Sequence, residues 1–251
     1  MNASQSSVLQ TVYRRLKPLA QSLCSRRLWY RPQIHCNKIW LGNEGARWCV
    51  CPEEVTDSSI VYSFGVGKDL SFDLEIVRRF KAELHAFDPT PGSIEWVGNQ
   101  VLPRQIVFHK YGIASFDGNS EFLPPRNPMH ISHTMIPKKE IPWPKITVPV
   151  RRLATIMANL GHERIDLLKM DIEGAEYTVL ADILRNGIQV RQLLVEFHHR
   201  WPEIGWKLTK KALLELNGAG FRIFSISTSG EEYSFLHVGP SQAQARRRSC
   251  F

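Results

Sequence analysis

Short apolar runs alternate with amphipathic stretches through most of this chain, beginning near Ser58. Ile60 to Phe64, Leu84 to Phe87, Ile106 to His109, Ile165 to Met170 and Gln192 to Phe197 read as strands. Runs of this kind, apolar at nearly every position, belong to strands buried on both faces of a parallel sheet. Between them, Phe72 to Lys81, Leu153 to Leu160, Ala175 to Leu184 and Trp206 to Asn217 carry helical spacing. Phe221 to Ser227 and Tyr233 to Val238, joined across a Gly-containing turn, predict an antiparallel pair at the edge of that sheet. The fold class is therefore α/β, a mostly parallel sheet with an antiparallel C-terminal edge and helices on both faces.

Two stretches break the alternation. Seven prolines between Pro124 and Pro149 exclude long helices and predict an irregular excursion from the core. Near the N-terminus, Val8, Leu9, Val12, Leu16, Leu19, Ala20 and Leu23 recur at helical spacing among Arg14, Arg15 and Lys17, with Pro18 as an interruption. The expected organisation is an N-terminal extension over 1–50, a main α/β domain over 51–240 and a basic tail over 241–251 that holds Arg246, Arg247 and Arg248.

Charge sharpens this division. Residues 1–43 contain seven basic and no acidic residues, so of the net +8 only +1 remains for residues 44–251. The body is nearly neutral, which disfavours a nucleic-acid groove across it. The arm suits an anionic membrane surface, an organelle address or a helix packed on the core. No apolar run approaches the roughly 18 residues of a membrane span, and five cysteines, odd in number, argue against a disulfide framework. A cytoplasmic location fits, with organelle targeting through the arm as the alternative. A zinc site from His35, Cys36, Cys49 and Cys51 lacks a second paired knuckle, and ordinary buried thiols fit better.

The chemistry gathers where strands end. The first strand runs into Phe64-Gly65-Val66-Gly67-Lys68-Asp69, a turn in which Gly65 and Gly67 let a ligand approach the backbone. Leu70 stands where a dinucleotide fingerprint wants its third glycine. Asp88, followed by Pro89, ends the second strand 23 residues beyond Gly65, the position from which a carboxylate accepts hydrogen bonds from ribose hydroxyls. Tyr111 to Asp117, with Ile113 and Ala114, offers apolar walls for an adenine, although turn chemistry at Asp117-Gly118 explains the stretch equally well. The fourth strand ends in Asp171-Ile172-Glu173-Gly174-Ala175-Glu176, a carboxylate cluster at the sheet edge where open α/β sheets bind ligands. Asp171 and Glu173 are candidate catalytic groups, and His198, just beyond Glu196, is a third, with an unperturbed pKa of about 6.5. Nothing in the spacing demands a metal.

The combination SFGVGKDLSFD, AFDP, DLLKMDIEGAEYTVL and LLVEFHH resembles the FkbM-type methyltransferases, over roughly Ser58 to Val238. The resemblance implies a Rossmann-like seven-stranded sheet, S-adenosylmethionine held at Gly65, Gly67 and Asp88, and O-methylation of a hydroxyl on a small-molecule, sugar or lipid-like acceptor. Two departures stand out. Ser63 occupies the place of an acid common in methyltransferases, and Asp69 replaces the third glycine, which makes Asp69 the candidate partner for the donor's amino group. Arg152-Leu153-Ala154 also lacks the acid often found ahead of the helix that precedes the KxDxEG block. The rival readings are a nicotinamide-dependent oxidoreductase, a non-catalytic binding protein on the same fold, and a nucleic-acid methyltransferase with the basic arm as a phosphate clamp.

The arm yields a first prediction. Removing residues 1–31 is expected to abolish salt-sensitive co-sedimentation with anionic vesicles, because each basic residue near such a surface contributes about 1 kcal/mol. Donor affinity should survive. Loss of donor binding on truncation would instead make the arm part of the fold.

Overall fold

In the computed structural model the described residues are 30–44, 46–124, 133–136 and 144–239. The expectations for the basic arm before residue 30, for most of the proline-rich excursion and for the tail after residue 239 lie outside them. After a short hairpin, β1 (Ile39–Leu41) and β2 (Trp48–Val50), the chain alternates. The elements are β3 (Ile60–Phe64), α1 (Ser71–Phe80), β4 (Glu83–Phe87), α2 (Pro91–Gly98) and β5 (Ile106–His109). Three small strands follow, β6 (Gly112–Ile113), β7 (Gly118–Phe122) and β8 (Ile146–Arg151). The second half comprises α3 (Leu153–Leu160), β9 (Ile165–Met170), α4 (Glu176–Arg185), β10 (Val190–Glu196), α5 (Gly205–Gly218), β11 (Phe221–Ile226) and β12 (Glu232–His237).

Seven strands form the main sheet in the order β11-β12-β10-β9-β3-β4-β5. β10, β9, β3, β4 and β5 are parallel, and β12 runs antiparallel to both its neighbours. The chain winds outward from β3 through β4 to β5, then returns to lay β9 and β10 on the other side of β3. This reversal opens a crevice at the carboxyl ends of β3 and β9. β9 is buried along almost its whole length, as expected for a central strand covered on both faces. Its one position that is not fully buried, Asp166, accepts the N–H of Ile60 at 2.9 Å and so ties the start of β9 to the start of β3.

The antiparallel pair closes one edge of the sheet as expected, with β12 beside β10 and β11 outermost. Two expectations need correction. The packed unit begins upstream of residue 51. Ile34, Leu41, Trp48, Val50 and Cys51 are buried in the same core as β3 and α1. Polar contacts fasten this segment to the sheet: the Gln192 side chain accepts the N–H of Cys51 at 2.7 Å, and Ser234 donates to the carbonyl of Cys49 at 2.9 Å. Strands of three residues carry too little periodicity to be recognised in the sequence. Finally, the end of the proline-rich stretch is regular. In β8, Val148 and Val150 point inward while Thr147, Pro149 and Arg151 are exposed. Pro149 fits because β6 pairs only with Val150 and Arg151, beyond the missing N–H.

Among the described residues no helix is long and apolar enough to cross a membrane. The acid missing ahead of α3 is supplied from elsewhere. Asp117 accepts the N–H of Arg152 at 2.9 Å and the hydroxyl of Thr155 at 2.8 Å, doing from 35 residues away what a local capping residue does. Asp117→Ala is expected to lower unfolding free energy by about 1 kcal/mol in a urea titration, with Asp117→Asn recovering part of the loss.

Candidate active site

The turn after β3 is shaped by a close backbone approach. Gly65 adopts φ +85°, and a Cβ built on it would sit 1.9 Å from the carbonyl oxygen of Asp171. Only glycine fits there. Hydrogen bonds close the same junction: Asp171 N–H donates to the carbonyl of Phe64 at 3.2 Å, and Gly65 N–H donates to that of Phe87 at 3.1 Å. The Phe64 and Phe87 rings stack at 4.3 Å beneath it. The ends of β3, β4 and β9 are thus bound together at the floor of one pocket.

Asp88 is 5 % exposed on the wall of this pocket. One carboxylate oxygen, Oδ1, accepts the N–H and hydroxyl of Thr90 at 2.9 and 2.7 Å, and Oδ2 accepts Gly67 N–H at 2.8 Å. Of the roughly four acceptor sites of a carboxylate, Oδ2 therefore keeps one toward the pocket. The turn reading and the ligand reading of Asp88 coincide in this residue. Asp69 accepts the N–H of Ser71 at the start of α1 at 2.7 Å while lining the pocket. Pro89 and Ile113 form part of the wall. Ala114 does not line it; its methyl group packs with Phe122, Val148 and Val150 in the small sheet's own core.

The opposite half of the pocket is acidic. Asp171, Glu173, Glu196 and Glu232 all line it. Glu173 takes φ +53° and Gly174 φ +101°, so the chain turns sharply before α4. A Cβ on Gly174 would meet Ile136 at 2.6 Å, and Thr134 donates a hydrogen bond to the carbonyl of Glu173. Glu176, the first residue of α4, is fully enclosed. Its Oε1 accepts the N–H groups of Ile172 at 3.3 Å and Gly174 at 3.1 Å, which makes the helix start a carboxylate cradle rather than a solvated end.

His198 lies among these acids. Its Nδ1 is 2.9 Å from Glu176 Oε1, and its Nε2 is 3.3 Å from Glu173 Oε2 and 4.0 Å from Asp171 Oδ1. The ring also packs edge-on against Trp201. Burial opposes the positive charge, but the hydrogen bonds to Glu173 and Glu176 outweigh it and push the imidazole up to about 11. The clamped ring is an imidazolium at neutral pH, and in this geometry it has no lone pair with which to act as the base the sequence nominates. Asp171 differs. Burial, with Glu173 as a like charge and Lys169 and His198 opposing, raises its carboxyl to about 6. Although 30 % of the side chain is accessible, Oδ1 is enclosed and without a hydrogen-bond partner. Glu196 is pushed up to about 9, by burial first and then by Asp171, and holds its proton at neutral pH.

The structure thus brings Phe64, Gly65, Gly67, Asp69, Asp88, Pro89, Ile113, Asp171 and Glu173 to one pocket, with His198 directly behind Glu173. Residues that sequence reasoning missed complete it. Lys169, hidden within an apolar run, donates to the carbonyl of Gly65 at 3.0 Å and lies over the Trp48 ring. Asp73, on the buried face of α1, lines the pocket with Oδ1 unpartnered. An acid on an otherwise apolar helix face was the available signal for Asp73. Asp171, Glu196 and His198 also bring one potential metal-ligating atom each within 4.8 Å of one another, a grouping the spacing did not require. The cysteines belong to neither metal-capable group found among the described residues.

This chain is similar to several known proteins. Two curated relatives, both described as probable methyltransferase-like protein 24, are 28 % identical. The rat protein matches over 167 residues, 66 % of this chain and 40 % of its own length. The human one matches over 145 residues, 57 % of this chain and 33 % of its own. This chain therefore corresponds to less than half of either. Among solved structures, the FkbM methyltransferase of Methylobacillus flagellatus is 15 % identical with a TM-score of 0.45, covering 72 % of this chain and 44 % of that one. The fibrillarin pre-rRNA processing protein of Methanococcus jannaschii is 12 % identical with a TM-score of 0.45, covering 73 % and 68 %. The model of the Methyltransferase FkbM domain matches residues 62–223, well over half of the sequence, and the chain belongs to the FkbM methyltransferase family.

Proposed function

We propose that this protein is an S-adenosylmethionine-dependent O-methyltransferase acting on a hydroxyl of a small-molecule, sugar or lipid-like acceptor. The observation that carries the reading is Asp88, preorganised by Gly67 and Thr90 at the end of β4 with acceptor capacity left toward the pocket. The pocket fits the donor. Its Gly65 backbone is bare where any side chain would collide with Asp171, and the enclosed Asp73 Oδ1 has no partner of its own. Asp88 would hold the ribose hydroxyls and Phe64, Pro89 and Ile113 the base. Asp69 and Asp73 offer carboxylate oxygens to the amino group. The acidic lining also suits a ligand that carries a sulfonium. Bound there, the donor supplies a methyl group activated for in-line displacement.

The chain's own contribution is alignment and proton removal. Asp171, raised to about 6, is ionised at neutral pH yet basic enough to accept the hydroxyl proton. Glu173 and Glu176 hold His198 in place, and the imidazolium steadies the carboxylate facing it. His198 is therefore a positioning group. Family membership leaves the nicotinamide reading without support. A cytoplasmic setting, read from the odd cysteine count, and the lack of a nucleic-acid partner, read from the near-neutral body, remain part of this proposal.

Asp88→Ala should weaken S-adenosylmethionine binding by about 1.5 to 3 kcal/mol through loss of charge-assisted hydrogen bonds, measured by calorimetry. Unchanged affinity in the folded variant would remove the ribose role. Asp171→Asn should depress turnover far more than donor affinity. Because ionised Asp171 is the active form and its pKa is raised, the wild-type rate should climb as pH rises through about 6 and fall below it. That limb should vanish in Asp171→Asn. A full-rate Asp171→Asn enzyme would move the base elsewhere.

A further inference from the structure

A second group of ligating side chains lies away from the pocket. Glu83 opens β4, five residues before Asp88, so the two carboxylates mark opposite ends of one strand, about 16 Å apart at the rise of an extended chain. His85 follows on the same face of β4, and His162 comes from the turn between α3 and β9. Glu83 Oε1 lies 2.8 Å from His85 Nε2 and 3.7 Å from His162 Nε2. One ligating atom from each of the three falls within 4.8 Å of the others. Four-coordinate zinc with nitrogen and oxygen ligands at about 2.0 to 2.2 Å holds neighbouring donor atoms about 3.3 Å apart. The two separations from Glu83 bracket that value.

The surroundings argue further. A metal-bound imidazole commonly has its other nitrogen held by a partner in the protein, which sets the tautomer and the ring orientation. Both histidines have such a partner. His162 Nδ1 lies 2.7 Å from the hydroxyl of Tyr62, and His85 Nδ1 lies 2.9 Å from His109 Nε2. His109 Nδ1 in turn is 3.4 Å from the Tyr111 hydroxyl. Without an ion His85 Nε2–H donates to Glu83 at 2.8 Å; with the proton moved to Nδ1, the contacts to His109 and Tyr62 are satisfied in a single direction and both Nε2 lone pairs become available to an ion beside Glu83. Tyr62 is fully buried and packs its ring against both imidazoles, supplying an apolar wall. On the other side the Glu83 side chain is 52 % exposed, so water can enter and fill a remaining coordination position.

We propose that Glu83, His85 and His162 form a binding site for one divalent transition-metal ion of the zinc class, at the amino end of β4 and separate from the methyl-transfer pocket. Cobalt(II) is the probe, added to metal-stripped full-length protein, with the visible d–d band reporting nitrogen ligation and calorimetry with zinc reporting affinity. One ion per chain is expected. Glu83→Gln and His162→Gln should each weaken binding at least about tenfold, while circular dichroism and melting without metal stay close to wild type. His198→Gln, in the acidic pocket, should leave the band unchanged. A band that survives both Glu83→Gln and His162→Gln, a band lost only in His198→Gln, or the absence of any band would overturn the proposal. The group would then be a hydrogen-bonded relay anchored on Glu83.

Discussion

The approach of Gly65 to the carbonyl of Asp171 is the constraint on which the rest of the site depends. Two parallel strands, β3 and β9, end side by side at the reversal of the sheet, and the chains leave them in different directions. With any side chain at position 65 the backbones would separate, because a Cβ there would lie 1.9 Å from the Asp171 oxygen. Their contact brings a turn rich in free backbone surface against a cluster of carboxylates. The donor half and the acidic half of the pocket are thereby walls of a single cavity. Lys169 reinforces the junction by donating to the Gly65 carbonyl from the β9 side.

Electrostatics within that cavity follow from crowding. Several carboxyl groups enclosed together cannot all ionise without compensation. Part of the compensation comes from His198, held by Glu176 on one ring nitrogen and Glu173 on the other. Another part comes from Glu196, which keeps its proton. Asp171 is left between these extremes, with a carboxyl near neutrality. Its raised pKa is a property of the whole arrangement rather than of the aspartate itself. Burying an ion pair of this kind contributes little net stability.

Rigidity is provided by strands whose two ends carry different polar groups. β4 carries Asp88 beyond its carboxyl end and Glu83 with His85 toward its amino end, with apolar Leu84 and Ala86 directed into the core between them. Hydrogen bonds to β3 and β5 on either side fix the strand along its length. Polar chemistry at both ends of a buried strand is compatible with folding because each polar group finds a partner locally: Thr90 and Gly67 for Asp88, His85 for Glu83.

Where periodicity is strong, the sequence by itself determined the outcome. The core strands, the helices other than α2, the parallel sheet, the glycine turn, Asp88 and the Asp171–Glu176 cluster were legible, because burial on two faces and helical spacing leave a local imprint. Features that depend on distant partners were not. Asp117 caps a helix 35 residues away, and Gln192 fastens the N-terminal hairpin from across the sheet. β8 was concealed by prolines whose missing N–H matters only against a neighbouring strand that the sequence does not reveal. Lys169 and Glu196 sit in strands that read as apolar, and only the packing shows that both line the pocket. The protonation of His198 is the clearest case: the residue was visible in the sequence, but its charge was decided by the carboxylates that the fold places around it.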